Sequence, residues 1–181
     1  LKGRRYSHYP TPVKLPTLLL GLVIFQAALG MWTVTMNLQP LIVMGHLLGG
    51  FSVISLLYLL SLRLSSFRLA GGDSELRRYR GLAFFTLLVV IGQIALGGWV
   101  AAMHVMHRVG AIITFLVVCA LLFKCWRKAK SQFFRRSLIV IGLLLSLQIL
   151  LGISNVVFQL PLWNAVAHNA VGALLLLSMV G

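Results

Sequence analysis

Six apolar runs, each about 20 residues long, dominate this chain and leave it few ways to fold. They lie near 15–36, 40–62, 81–100, 102–124, 137–158 and 162–181. A helix of about 20 apolar residues crosses a hydrocarbon core about 30 Å thick, and within that core every backbone N–H and C=O must be satisfied by the protein itself. Only helices and closed barrels meet that condition. A barrel needs apolar and polar residues to alternate, which Leu56-Leu57-Tyr58-Leu59-Leu60 does not do. The expected fold is therefore all-α, a polytopic transmembrane bundle of six helices. With 60% hydrophobic residues, 10% charged residues and a mean hydropathy of +0.99, the composition lies outside the range of water-soluble domains.

The net charge of +14 does not point to nucleic acid, because the charges form no patch or stripe on a folded face. They sit in short segments between the apolar runs. Lys2, Arg4, Arg5 and Lys14 precede the first run. Arg63, Arg68, Arg77, Arg78 and Arg80 separate the second and third, and Lys124, Arg127, Lys128, Lys130, Arg135 and Arg136 separate the fourth and fifth. In a six-span chain all three segments fall on one side, which the positive-inside rule makes the cytoplasm. Trp32, Trp99 and Trp163 mark the opposite, outer ends. No small-residue cleavage site precedes the first run, so it reads as a retained helix rather than a signal peptide. Cys119 and Cys125 share one apolar run and read as free thiols.

One basic residue remains, Arg108, at the outer end of the fourth run. A cation there either snorkels to the headgroups or meets an anionic partner.

The runs repeat. Gln26-Ala-Ala-Leu29-Gly30, Gln93-Ile-Ala-Leu96-Gly97 and Gln148-Ile-Leu-Leu151-Gly152 stand on the first, third and fifth. The first and last copies continue through an outer turn (Leu38-Gln39-Pro40 and Gln159-Leu160-Pro161) to a histidine 20 positions after the glutamine, His46 and His168. The middle copy reaches His107 after only 14 positions, with no Pro, Asn, Asp or Gly between Trp99 and Met106 to turn the chain. That shortfall predicts an external loop absent near 100–103, and a continuous chain there would count against it. The sixth run stops at Gly181 without the basic residues that follow the second and fourth runs, which predicts that the protein extends further.

His46, His107 and His168 thus stand at the outer ends of helices two, four and six, at a common depth. A single histidine in a bundle is as often a packing residue as a ligand. Three at one depth on alternate helices point to metal. Glycines one turn on, Gly49 and Gly50, Gly110 and Gly172, would let a flat ligand or a helix approach. Imidazole is an axial ligand of heme iron, and a porphyrin needs a slot between helices. Zinc would want converging His, Cys or carboxylate groups, and the only acids are Asp73 and Glu75 in a cytoplasmic segment. His104, three residues before His107, faces roughly the same way and would line the same pocket. His8 carries no assigned role.

Gln26-Ala-Ala-Leu-Gly-Met-Trp-Thr-Val-Thr, His46-Leu-Leu-Gly-Gly, Gln93-Ile-Ala-Leu-Gly-Gly-Trp-Val, His107-Arg108-Val-Gly-Ala and His168, in that order, resemble bacterial heme A synthases over nearly the whole chain. The resemblance implies an eight-helix protein of two four-helix halves in the bacterial inner membrane, of which this chain carries helices three to eight. Residues 1–80 would then be the second half of the N-terminal unit, and 81–181 the C-terminal unit. It implies that His107 and His168 bind heme b and that His46 belongs to the pocket where the substrate heme reacts; from position alone, Arg108 would bind a heme propionate beside His107. The family oxidises a methyl group of heme O to the formyl group of heme A. Its catalytic carboxylate falls in helices this chain lacks, so no residue here is assigned as acid or base. Implied partners are membrane lipid, heme O synthase or cytochrome oxidase assembly factors, and further copies of the chain. From residues alone, a cytochrome b-type anchor passing electrons between a quinone and a partner has the same histidine pattern, and a transporter or scaffold would use the histidines for packing.

Overall fold

The computed structural model describes residues 13–64 and 74–180, without the side chains of 74, 75 and 100–103; Lys2, Arg4, Arg5, His8, Arg68 and Asp73 lie outside the described residues. Among these residues there are six long helices and no strand: α1 (Lys14–Thr35), α2 (Pro40–Leu64), α3 (Arg80–Gly98), α4 (Val100–Trp126), α5 (Gln132–Val157) and α6 (Leu162–Val180). All six are long and apolar enough to cross a membrane. Leu, Ile, Val and Phe cover their outward faces, as at Leu18, Ile24, Phe84, Ile112, Leu143 and Val166, which suits contact with acyl chains and not with water. The protein is a multi-pass membrane helix bundle.

Helix bounds follow the apolar runs within a few residues, except that α5 starts at Gln132 rather than near 137. Hydropathy sees only the lipid-crossing part of a helix. Here the first turn is basic and is held by side-chain contacts: the Arg135 Nε–H donates to the Ala129 carbonyl at 3.0 Å, and its guanidinium lies 5.6 Å from the Trp126 ring centre.

The repeat is a repeat of structure. α1 and α5 end in the same Schellman turn, with the Leu38 N–H donating to Thr33 O and the Leu160 N–H to Asn155 O, both at 2.8 Å. In each, two successive residues are left-handed: Asn37 and Leu38 (φ 51° and 58°), and Gln159 and Leu160 (φ 56° and 60°). A leucine held there costs about 1–2 kcal/mol. Pro40 and Pro161 follow, and neither can donate the N–H that would continue the first helix.

Between α3 and α4 the backbone is continuous, with Trp99 as the single non-helical residue. The chain runs on there without the loop expected near 100–103. Gly97 and Gly98 make so short a link possible. With no side chains they let the end of α3 lie against α4 and against the Met44 backbone of α2; a Cβ on Gly98 would come within 3.3 Å of Met44 Cα.

The helices pair as hairpins, α1 with α2, α3 with α4, and α5 with α6. α3 also touches α6, and α4 touches α5, so α3 to α6 close a four-membered ring in which α4 and α6 are diagonal. α2 packs on α3 and α6, and α1 packs on α2. The centre of the ring is filled in its basic half by Val90, Val118, Ile141, Leu145, Leu175 and Leu176. Towards the histidine end, none of the described side chains of α3 beyond Val90, or of α4 before Thr114, is buried.

The histidine end of α5–α6 is closed by Asn164, which is fully buried. Its amide donates towards Leu151 O (3.3 Å), Ser154 Oγ (3.0 Å) and Asn155 Oδ1 (3.1 Å). Asn164→Leu strands Asn155 Oδ1 in an apolar setting and is expected to cost about 1–2 kcal/mol. A lowered midpoint in a detergent unfolding titration checks this; an unchanged midpoint shows that the network contributes nothing.

Candidate heme-binding site

Each hairpin carries the same three-part arrangement. The histidine enters six residues after the start of α2 and α6 and seven after that of α4, which puts the imidazoles at about 9 to 10 Å along their helices. Each ring lies against the glycine that ends the Gln-x-x-x-Gly motif of the preceding helix. A Cβ on Gly30, Gly97 or Gly152 would stand 3.2, 3.3 and 3.3 Å from Cε1 of His46, His107 and His168. Those glycines are the imidazole cradles, because any side chain would push the ring away.

The glutamine of each motif reaches the other way, over the glycine that follows the histidine. Gln26 occupies the space beside Gly49, Gln93 that beside Gly110 and Gln148 that beside Gly172. The glycines beside the histidines therefore accommodate glutamine side chains. Gly50 alone of that group has open space around it. The Gln–Gly spacing in three copies was visible in the sequence, but spacing on one helix does not reveal which residue of the next helix fills the gap.

Hydrogen bonds fix two of the rings. Gln93 Nε2–H donates to His107 Nδ1 at 3.1 Å and to the His107 carbonyl at 2.9 Å. Gln148 Nε2–H donates to His168 Nε2 at 3.1 Å. The amide oxygens of Gln26, Gln93 and Gln148, and Nδ1 of His168, are buried without a partner. Buried polar atoms left unpaired in a bundle are costly, and they cluster here at the histidine end.

His107 and His168 are half-buried and stand on the two diagonal helices of the α3–α6 ring. His46 is exposed on α2, on a stripe continued by Ile54, Leu57, Ser61 and Leu64. Arg108 and His104 are exposed beside His107. No cluster of three or more His, Cys, Asp or Glu groups able to hold a bare metal ion exists among the described residues. Two half-buried imidazoles on diagonal helices suit a planar metal-bearing ligand better than a bare ion. The donor set, the glycine cradles and the orphaned Nδ1 of His168 fit heme.

Comparison with known proteins bears on the chain as a whole. A family model described as a cytochrome oxidase assembly protein, COX15-CtaA, matches residues 3–104 and again 101–180. The chain is 39% identical to the heme A synthase of Shewanella oneidensis over 93% of its length, and it spans 65% of that relative. That alignment covers 218 positions, more than the 181 residues here, so the relative carries residues inside the matched stretch that have no counterpart in this chain. The family match restarts at 101–104, at the α3–α4 junction. No solved structure matches the chain. With its repeated helical hairpins and matches on both sides of that junction, the chain belongs to the COX15-CtaA family of cytochrome oxidase assembly proteins.

Proposed function

We propose that the protein is a heme A synthase, a membrane oxidoreductase that converts a methyl group of heme O into the formyl group of heme A, with a resident heme b in the α3–α6 ring. The observation that carries this reading is the pair His107 and His168, half-buried at one depth on diagonal helices. Bound there, heme b supplies an iron centre that accepts and passes single electrons. The chain's own residues hold and orient it. Gln93 and Gln148 fix the imidazoles, Gly97 and Gly152 make room for them, and Arg108 would pair with a propionate.

His46 belongs to a second pocket, for the substrate heme. Its exposure and the open space at Gly50 support a site on the free face of α2, separate from the ring. The extra residues of the relative would enter at the α3–α4 junction, where the family match restarts, as an external loop. The basic ends face the cytoplasm of a bacterial inner membrane and the histidine ends face outward. Heme O synthase and oxidase assembly factors are the expected protein partners.

Pyridine-hemochrome analysis of protein purified from membranes tests the function. Heme O or heme A alongside heme b is the expected result. Heme b alone would replace this reading with an electron-transfer anchor, and colourless protein would leave the histidines with a packing role.

A further inference from the structure

We propose that Gln148 is a positioning residue that serves His168 in two states, donating to its ring when no iron is bound and accepting from it when iron is bound. This rests on the reading of His168 as a heme ligand. As it stands, the Gln148 Nε2–H donates to His168 Nε2, so that nitrogen is unprotonated and the ring proton sits on Nδ1. Nδ1 is buried with no acceptor, and the Gln148 Oε1 is buried with no donor. One buried donor and one buried acceptor are thus left unmatched on adjacent side chains.

An imidazole that ligates iron through Nε2 must release that nitrogen from any other bond and keep its proton on Nδ1, where a hydrogen-bond acceptor normally fixes the ring. Gln148 Oε1 is such an acceptor. A half turn of the carboxamide, with a pivot of the ring off the Gln148 amino group, frees Nε2 for iron and pairs Nδ1–H with Oε1. No bond other than the one to His168 ties the Gln148 amide down. Gln93 differs. Its Nε2–H also donates to the His107 carbonyl, and a half turn would bring two oxygens together at that 2.9 Å contact. Gln26 makes no hydrogen bond with His46. Of the three glutamines, Gln148 is the one that combines a bond to an imidazole with freedom to turn. A carboxamide suits this role because it carries both a donor and an acceptor without a buried charge.

The test uses the heme-loaded full-length protein. Gln148→Met keeps the shape and loses both hydrogen-bonding functions. Gln148→Glu keeps the acceptor and strengthens its pull on Nδ1–H. A stronger pull makes the imidazole a better donor to ferric iron, so the heme b midpoint potential is expected to shift negative in Gln148→Glu and positive in Gln148→Met. Heme retention should fall about tenfold in the Met variant. Ser146→Ala, at a residue exposed on the same helix and bonded only to the Gly142 carbonyl, should leave the heme b potential unchanged. Shifts of the same sign in both Gln148 variants, or no shift in either, would overturn the proposal by reducing Gln148 to a packing residue. If Gln148→Glu does not accumulate in the membrane, the Met variant decides alone: a positive shift supports the proposal, and none or a negative one overturns it. Loss of the low-spin spectrum in His168→Ala, run in parallel, establishes the ligand reading independently; its persistence would show that reading, and not the role of Gln148, to be at fault.

Discussion

Replacing either His107 or His168 by alanine is expected to abolish the six-coordinate, low-spin heme signal altogether, whereas His46→Ala should leave it in place. The two ring histidines stand on diagonal helices that are not in contact, and the other imidazole of α4, His104, is exposed one turn before His107. Removing one leaves iron with a single protein ligand and an open position, which turns a low-spin bis-imidazole centre into a high-spin one. His46 stands on α2, outside the ring, against Gly30 of α1. Absorption and paramagnetic resonance spectra of the three purified variants decide this. If His46→Ala loses the low-spin signal and either ring variant keeps it, the ligand assignment moves to α2.

The second large effect is expected at Arg108. Every other basic residue described lies at the opposite end of the bundle, from Lys14 through Arg63 and Arg80 to Arg136. Arg108 instead follows His107 directly and is exposed at the level of the proposed heme edge. A guanidinium keeps its charge when partly desolvated and grips a carboxylate through two parallel bonds, which an ammonium cannot do. Such a contact is worth about 1.5–3 kcal/mol, so Arg108→Ala should weaken heme retention about ten- to a hundredfold while the helices remain folded. Heme content after graded detergent washing, read with helix content by circular dichroism, separates the two. Full retention would mean that the side chain only snorkels to the headgroups. Arg108→Lys should recover part of the retention, because charge returns without the paired geometry.

Much of this architecture can be read directly from the residues, for a physical reason particular to membranes. Lipid offers no hydrogen bonds, so an apolar run of the right length has essentially one solution, and all six runs became helices. Even the first and last hairpins could be paired by register, from Gln26 to His46 and from Gln148 to His168, because their turns are chemically marked by Pro40 and Pro161. The α3–α4 link was harder to foresee. Turn signals in sequence are Pro, Asn, Asp and Gly placed between helices, whereas here the glycines that permit the link, Gly97 and Gly98, sit inside the end of α3.

The sequence alone determined the number of spans, the end at which charge collects, and which three histidines share a depth, since each depends only on length, hydropathy and position along one helix. Which surfaces meet was decided by tertiary structure. That Gly30, Gly97 and Gly152 cradle the imidazoles, that the three glutamines fill the space over Gly49, Gly110 and Gly172, and that His107 and His168 stand diagonally while His46 lies outside the ring all depend on helix pairing and rotation. In a chain whose helices are apolar all round, no polar stripe marks which face turns inward, so rotation is set by small residues and a few polar side chains meeting across helices. Those partners come from different hairpins or different helices, and their meeting exists only once the bundle has packed.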